Sequence, residues 1–413
     1  MTKNRCKLAV ALICAALLST AVSPLTAQES GAKDNRTPLP VDFIGAEYLK
    51  GLNGIAVAGL YGMVGLLEFK DGVWKLNRVE NPPKEDFTAL ARYTDDIALV
   101  GSSTGRIYRY DGKSLTELAH LSEYDEPVLD IVAVDGRAWA VGARGMVAKS
   151  TDGQEWEILE ISDVKQPTIV FQEGRPADWY FGVSNIDVDS VKFVGTVGGE
   201  PAIEDEHYIL FPDEGFIQNT VEFDMDVPPT IEFTFNPGPP FRAGDVSWNT
   251  VLYDGSKLTI AGEFGMVFQS EDEGETWVRR DTKIVEGEPS PAYWLESVQQ
   301  GSTLYLAGAA GVSSMSTDGG VTWVPQPRPG NEGIFGTTLL DNGQPLIAGA
   351  VGLIGTYDGS AWKLADRTRL KLLSWLKNPV KLDDGSILVL GGRSTAISFK
   401  DGIWTRIPVD VSQ

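Results

Sequence analysis

Short apolar runs that end at a pair of glycines recur along the chain, and each is followed by an alternating apolar segment and a polar turn. The eight runs are IAVAGLYG from Ile55, IALVGSSTG from Ile97, AWAVGARG from Ala138, KFVGTVGG from Lys192, LTIAGEFG from Leu258, LYLAGAAG from Leu304, PLIAGAVG from Pro345 and ILVLGGRS from Ile387. Five of the seven gaps between their first glycines are 41 to 46 residues long. A period of this length indicates a repeat architecture.

Each repeat is predicted to be a small antiparallel sheet, because apolar residues alternate and no long helical period occurs. In the repeat at 333–366 we predict four strands, at 333–340, 344–350, 353–357 and 361–365. A four-stranded meander of this size cannot bury both of its faces alone, and radial stacking of such sheets gives an all-β β-propeller. Eight glycine runs favour eight blades, with seven as the alternative if the fourth run belongs to an insertion.

A turn rich in aspartate and glycine, followed by tryptophan, closes most repeats. It occurs in the segments that end at Trp74, Trp156, Trp277, Trp323, Trp362 and Trp404. The aspartate side chain can accept backbone N–H groups in such a turn, and glycine tolerates a positive φ. We expect the indole to enter the next strand and fill the gap between two blades.

Three of these turns resemble the Asp-box, also known as the bacterial neuraminidase repeat. The residues that carry this resemblance are Ser150, Asp152, Trp156, Ser270, Asp272, Gly274, Trp277, Ser316, Asp318, Gly320 and Trp323. The glycine run followed by such a turn is similar to propellers of the photosystem II assembly and stability factor-like family over residues 41–410. That resemblance implies a propeller that assists a membrane complex, and it gives these residues a structural role.

The fourth repeat departs from the pattern, because no turn tryptophan follows its glycine pair. Prolines are dense from Val227 to Pro240, and proline at this density resists pairing within a sheet. We therefore predict an insertion near residues 224–244 within a propeller that spans 41–410.

The N-terminus has the pattern of a secretory signal peptide. Lys3, Arg5 and Lys7 precede an apolar run that is too short for a membrane anchor, and a cleavage site follows before Gln28. We predict a signal peptide at 1–27, a linker at 28–40 and a periplasmic mature chain. Both cysteines, Cys6 and Cys14, lie in the predicted signal, so no disulfide is expected.

The charge of the chain disfavours nucleic acids and anionic membranes as partners. The formal net charge is −22, and cleavage would make it −25 because the signal carries three positive charges and no negative ones. In a propeller the acidic turns would lie on one rim, and arginines would gather on the other. The arginines of this candidate partner face are Arg106, Arg144, Arg279, Arg280, Arg328, Arg367, Arg369 and Arg393.

No arrangement of residues indicates a catalytic site, a metal site or a cofactor site. His120 and His207, the only histidines, are isolated in sequence, and no phosphate-binding glycine loop precedes a helix. We therefore expect a non-enzymatic scaffold that binds a protein partner within an envelope membrane complex, without a cofactor or direct insertion into the membrane. The alternative is a glycan-active propeller hydrolase, which needs two carboxylates about 5–10 Å apart in an aromatic-lined central cleft.

Overall fold

The computed structural model describes residues 40–172, 177–237, 246–282 and 292–412. These residues form strands joined by turns and a few single 3-10 turns. The predicted signal peptide, and all but the last residue of the predicted linker, lie outside the described residues. Within the described part of the chain, no helix has the length and apolar character needed to cross a membrane.

Seven four-stranded meanders make up the body of the fold. We label the four strands of each meander A to D in chain order, and A pairs with B, B with C and C with D. The first three blades are β1 Phe43–Leu49, β2 Gly54–Gly59, β3 Val64–Lys70 and β4 Val73–Arg78; β5 Phe87–Arg92, β6 Ala98–Ser102, β7 Arg106–Tyr110 and β8 Leu115–His120; β9 Val128–Val134, β10 Arg137–Gly142, β11 Val147–Ser150 and β12 Glu157–Ile158.

An excursion of eight strands separates the third blade from the fourth. Its strands are β13 Val164–Val170, β14 Asp178–Tyr180, β15 Lys192–Val194, β16 Thr196–Val197, β17 Glu200–Pro201, β18 Tyr208–Phe211, β19 Phe216–Asn219 and β20 Thr230–Phe235. Strand β13 pairs in parallel with the outermost strand of the fourth blade, and β20 and β15 extend the same sheet further outward. Strands β14, β19 and β18 form a separate three-stranded sheet. We call residues 164–237 the insertion.

The remaining four blades follow the insertion. They are β21 Trp248–Tyr253, β22 Leu258–Gly262, β23 Val267–Ser270 and β24 Val278–Arg279; β25 Trp294–Gln300, β26 Thr303–Gly308, β27 Ser313–Ser316 and β28 Val324–Pro325; β29 Ile334–Leu339, β30 Pro345–Gly349, β31 Ile354–Tyr357 and β32 Trp362–Leu364; β33 Leu376–Lys381, β34 Ile387–Gly391, β35 Ala396–Lys400 and β36 Ile403–Arg406. A last strand, β37 Val409–Asp410, pairs in parallel with β4.

The seven A strands close a ring around a central axis. Each A strand packs against the A strand of the next blade, and β33 of the seventh blade packs against β1 of the first. Strand β37 makes a second closure at the outer edge, because the C-terminal end of the chain completes the sheet of the first blade. The single 3-10 turns are Lys50–Leu52, Ala143–Gly145, Val188–Ser190, Glu263–Gly265, Ala309–Gly311 and Ala350–Gly352.

The predicted all-β propeller of four-stranded blades is confirmed. The predicted strands of the repeat at 333–366 agree with β29 to β32 to within a residue or two at each end. The favoured count of eight blades does not match the seven meanders of the described residues, which fit the alternative. The run from Lys192 forms β15 and β16 of the insertion, where it pairs with β20 and β17 rather than starting a meander. The insertion is longer than the predicted 224–244, of which residues 238–244 lie outside the described residues.

The turn tryptophans lie between blades. Trp74 packs in one apolar cluster with Val380 and Leu388 of the seventh blade, and Trp323 packs with Ala261 and Val267 of the fourth. Trp277 and Trp404 are likewise buried, whereas Trp156 and Trp362 are half-buried at the edges of their clusters. The indoles therefore supply apolar contact across the gaps between sheets, which is where the sequence pattern placed them.

Candidate functional site

A cavity of about 550 Å³ runs along the axis of the ring and is lined by residues of all seven A strands. Its walls carry three carboxylates, Glu47 on β1, Asp130 on β9 and Glu296 on β25. Three cations line the same cavity, Arg92 on β5 and both Lys377 and Lys381 on β33. The alternation of side chains along a strand explains this placement, since one residue in two on each A strand faces the axis.

Each A strand contains a β-bulge, or a local shift of register, near its start. At three bulges a polar side chain reaches the neighbouring blade. Thr88 donates a hydrogen bond to the carbonyl oxygen of Val128, Asn249 donates to that of Trp294 at 2.7 Å, and Asn378 donates to that of Phe43 at 2.7 Å. A bulge re-aims a side chain in this way because the extra residue breaks the regular alternation. The bulges thus help to fix the walls of the cavity.

The cavity raises the pKa of its carboxyl groups. Burial raises the pKa of Glu296 to about 8, assisted by the nearby charge of Asp130 and opposed by Lys377. Burial also raises the pKa of Glu47 to about 7, against the attraction of Arg92. The pKa of Asp130 is raised by burial too, although its carboxylate accepts the backbone N–H groups of Val251 at 2.9 Å and Ile131 at 2.8 Å.

Glu47 and Glu296 can therefore hold and release protons near neutral pH, as groups suited to acid–base chemistry do. Among the residues that line the cavity, Tyr48 is the only aromatic one, so the described wall lacks the aromatic platform of a glycan cleft. Within the described residues there is also no group of three or more His, Cys, Asp and Glu side chains placed to hold a metal ion.

The turns between strands B and C all lie on one rim of the disc, because the strands of a meander alternate in direction. Five of them share the pattern Gly-x-X-Gly, in which the third residue, X, adopts the left-handed conformation. These residues are Tyr61, Arg144, Phe264, Ala310 and Val351, with φ between +52° and +58°. Arg393 has φ +56° in the corresponding turn of the seventh blade. We call these six residues the B–C rim.

Side chains of the B–C rim point outward. Tyr61 is 92% exposed and Val351 67%, and Leu373 and Tyr124, in the links between blades, are 83% and 76% exposed. A left-handed conformation costs a residue other than glycine roughly 1–2 kcal/mol, and a β-branched residue such as Val351 is a true outlier there. Strained backbone of this kind is found at active sites, ligand clamps and switch regions, and exposed apolar patches mark interaction sites.

The predicted partner-face arginines have different environments. Arg144 and Arg393 belong to the B–C rim, and Arg144 pairs with Glu126 at 2.9 Å. Arg279 donates hydrogen bonds to Gln166 and to the carbonyl oxygen of Phe181, beneath the insertion, and burial lowers its pKa. Four of the other arginines contact nearby groups. Arg106 lies near Glu117 and Asp125, Arg280 donates to Gln269, Arg367 pairs with Glu332 and Arg369 donates to the carbonyl oxygen of Trp404. Arg328 is half-buried.

The Ser-x-Asp turns lie on the opposite rim and hold themselves together. In one of them Ser316 Oγ accepts the N–H of Gly320 at 2.8 Å, and Asp318 Oδ1 accepts that of Thr322 at 2.9 Å. Trp323 Nε1 donates to the carbonyl oxygen of Gly320 at 2.9 Å. The same bonds recur from Ser270 to Trp277, and those around Ser150 and Asp152 recur without the indole bond. The serine and aspartate side chains of these turns therefore form hydrogen bonds within the turn itself.

The acids of the axial cavity were not predicted from the sequence. Each of Glu47, Asp130 and Glu296 is a lone acid among apolar residues in the strand that precedes a glycine run. That is the signal that could have found them, because an acid at a strand position flanked by core residues must face either solvent or an internal cavity.

No family model matches the chain, and no curated protein matches it. Solved structures with the same fold include YCF48 bound to D1 peptide, with a TM-score of 0.54, 10% identity, and coverage of 90% of this chain and 95% of that one. They also include the WD40 β-propeller domain of Doa1, with a TM-score of 0.54, 10% identity and coverage of 88% and 95%. A streptogramin B lyase matches with a TM-score of 0.51, 11% identity and coverage of 81% and 86%. At these identities the likeness shows a shared β-propeller fold.

Proposed function

We propose that this chain is a secreted, non-enzymatic β-propeller scaffold that binds a protein partner through its B–C rim. The observation that carries the proposal is the recurrence of strained, outward-facing residues, among them Tyr61, Arg144, Phe264 and Arg393. Aromatic and arginine side chains are enriched in protein interfaces and among the residues that dominate binding energy. The similar structure of YCF48 bound to D1 peptide supports a protein ligand for a propeller of this fold.

We further propose that the partner belongs to an envelope membrane complex and that the scaffold acts in the periplasm. The signal-like N-terminus and the resemblance of the Asp-box turns to assembly-factor propellers support this part of the proposal. The acidic opposite rim, which includes Asp71, Asp111 and Asp254, would face away from the partner.

Affinity capture from envelope extracts tests the proposal. The wild-type chain should retain a membrane-complex subunit that mass spectrometry identifies. A variant with Tyr61→Ser, Phe264→Ser and Arg393→Glu should lose that subunit. The matched control is Ile403→Ser, which changes an exposed apolar residue on the opposite rim and should retain it. Equal capture by both variants would remove the rim from the proposal.

The glycan-hydrolase alternative rests on a different observation, the raised pKa values of the carboxyl groups in the axial cavity. Glu296, with its raised pKa, would be the acid in such a reaction, and Asp130 or Glu47 the second carboxylate. Release of reducing sugar from a panel of cell-wall and storage glycans, abolished by Glu296→Gln, would establish it. Absence of turnover together with capture of a partner favours the scaffold.

A further inference from the structure

The three-stranded sheet of the insertion has one buried and one open face. Trp179, Ile217 and Tyr208, on β14, β19 and β18, point into the core of the insertion and are buried. The residues that alternate with them point the other way. On that outer face Tyr180 lies opposite Phe216, and Phe216 lies opposite Phe211.

These three outer rings form a continuous stack, which we call the aromatic row. The ring centroids of Phe211 and Phe216 are 4.4 Å apart with planes 7° from parallel, and those of Phe216 and Tyr180 are 4.8 Å apart at 29°. Tyr180 ends the row on an edge strand and is 64% exposed. Among the described residues no further ring stacks on Tyr180, so the stack is open at that end.

Three carboxylates belong to this small sheet, one of them on the strand that carries Tyr180 and two in the hairpin between β18 and β19. Asp178 lies two residues before Tyr180 on the same face, and its Oδ1 accepts a hydrogen bond from Gln218 at 3.0 Å. Asp213 and Glu214 are exposed in the hairpin that joins Phe211 to Phe216. Within the described residues none of these three carboxylates forms a salt bridge, whereas many other acids of the surface do.

A purely structural role is the simplest explanation of the aromatic row. Its rings would then only stabilise the small sheet, since a cross-strand aromatic pair contributes roughly 0.2–1 kcal/mol to stability. That role accounts for Phe216, which is flanked on both sides. It does not account for a largely exposed tyrosine at the edge of the sheet with Asp178, which forms no salt bridge among the described residues, two positions away on the same face. The negative face of an aromatic ring next to carboxylates attracts a flat cation, and a guanidinium both stacks on a ring and forks onto a carboxylate.

We propose that the aromatic row is a docking site for an arginine-bearing segment of a basic protein partner. One guanidinium continues the stack on Tyr180 and donates hydrogen bonds to Asp178, and neighbouring basic residues pair with Asp213 and Glu214. The charge of the two sides is complementary, because the chain carries a formal net charge of −22. This surface is separate from the B–C rim, so either proposal can fail while the other stands.

The test is an NMR titration of the purified, isotope-labelled full chain with the peptide Ac-Gly-Arg-Gly-Arg-Gly-NH2. The matched probe replaces both arginines by citrulline, which keeps the planar shape and removes the charge. We expect shifts at residues of β14, β18 and β19 with the arginine peptide and at least about 5-fold weaker binding of the citrulline peptide. Tyr180→Ala should weaken binding about 5-fold, and Tyr180→Phe should retain it.

Two controls separate this site from general attraction to an acidic protein. Tyr124→Ala changes an exposed tyrosine in a link between blades and should leave binding of the arginine peptide unchanged. Circular dichroism should show that Tyr180→Ala is folded. Equal binding by wild type and Tyr180→Ala, or by the arginine and citrulline peptides, would overturn the proposal. So would Tyr180-dependent binding of a neutral polysaccharide such as soluble cellulose oligomers without binding of the arginine peptide.

Discussion

The side-chain amide of Asn378 donates a 2.7 Å hydrogen bond to the backbone carbonyl oxygen of Phe43, and so joins the seventh blade to the first at the inner edge of the ring. The two residues are 335 positions apart in the chain. With the pairing of β37 and β4 at the outer edge, this bond gives the ring closure an inner and an outer component.

Replacing Asn378 by alanine should therefore weaken the closure. The carbonyl oxygen of Phe43 would lose its partner at a half-buried position, and we expect a loss of about 1–2 kcal/mol in the free energy of unfolding. Denaturant unfolding followed by circular dichroism measures this loss. Asn342→Ala is the matched control, because that asparagine bonds only to Gln344 in an exposed turn and its removal should have little effect. Equal losses would mean that the inner bond is not part of the closure.

Trp323 should be a main contributor to stability. It is 4% exposed and contacts the neighbouring blade, so Trp323→Ala should lower the free energy of unfolding by about 3–5 kcal/mol. Trp362→Ala provides the comparison, because this half-buried indole leaves a smaller void and should cost clearly less. Thermal and denaturant unfolding measure the loss of stability in each variant. A larger loss for Trp362→Ala than for Trp323→Ala would contradict the prediction.

The left-handed conformation of Val351 should limit stability. Asparagine tolerates this conformation better than a β-branched residue, so Val351→Asn should raise the free energy of unfolding by roughly 0.5–1 kcal/mol. Val324→Asn is the control, since Val324 is also exposed but lies in an ordinary strand and should not gain. If the rim binds a partner, the stabilised Val351 variant should bind it less well. A gain of stability at both positions would rule out relief of backbone strain as the cause.

Stability should fall as the pH rises from about 5 to 8. The folded pKa of Glu296 is raised to about 8 from an ordinary 4.5, so the folded chain binds a proton that the unfolded chain releases in this range. This contribution is complete below the unfolded pKa and is lost as the pH rises through the folded one. Glu296→Gln should flatten the profile and be more stable than wild type at pH 8, by on the order of 2 kcal/mol.

Unfolding free energies measured from pH 5 to 9 check this prediction. Glu47 remains in the Glu296→Gln variant, and burial raises its pKa to about 7. The unfolding free energy of this variant should therefore still fall with pH, but with a smaller slope than that of the wild type. Glu222→Gln, at an exposed position of the insertion, is the control and should follow the wild-type curve. Parallel curves for wild type and Glu296→Gln would show that this carboxyl group is ionised in the folded state at neutral pH.

The repeat pattern was sufficient to predict the propeller because each blade uses the same local rules. The glycine pairs around Gly59 and Gly349 mark the ends of B strands, and in the turn before Trp323 the aspartate accepts a backbone N–H as the pattern predicted. The run from Lys192 follows a similar pattern, but its strands pair with β20 and β17 within the insertion and not with the strands of a meander. Local similarity could not reveal that difference.

The candidate sites were harder to predict because they depend on contacts between distant segments. Glu47, Asp130 and Glu296 come from three separate blades and meet only when the ring closes. The aromatic row joins Tyr180 to Phe216 across strands that are 36 positions apart at this pair. Arginine content predicted a partner face, but a sequence does not show that Arg279 is used beneath the insertion while Arg144 is presented to solvent.

The insertion on the fourth blade breaks the approximate rotational symmetry of the seven-bladed ring. Seven similar sheets would present nearly the same outline after each rotation by one blade, and a partner on the rim could settle in several rotational settings. Among the described residues one insertion, which pairs with β24 and carries its own sheet, removes that equivalence. A large partner on the disc therefore contacts the insertion in one of its seven rotational positions and not in the other six.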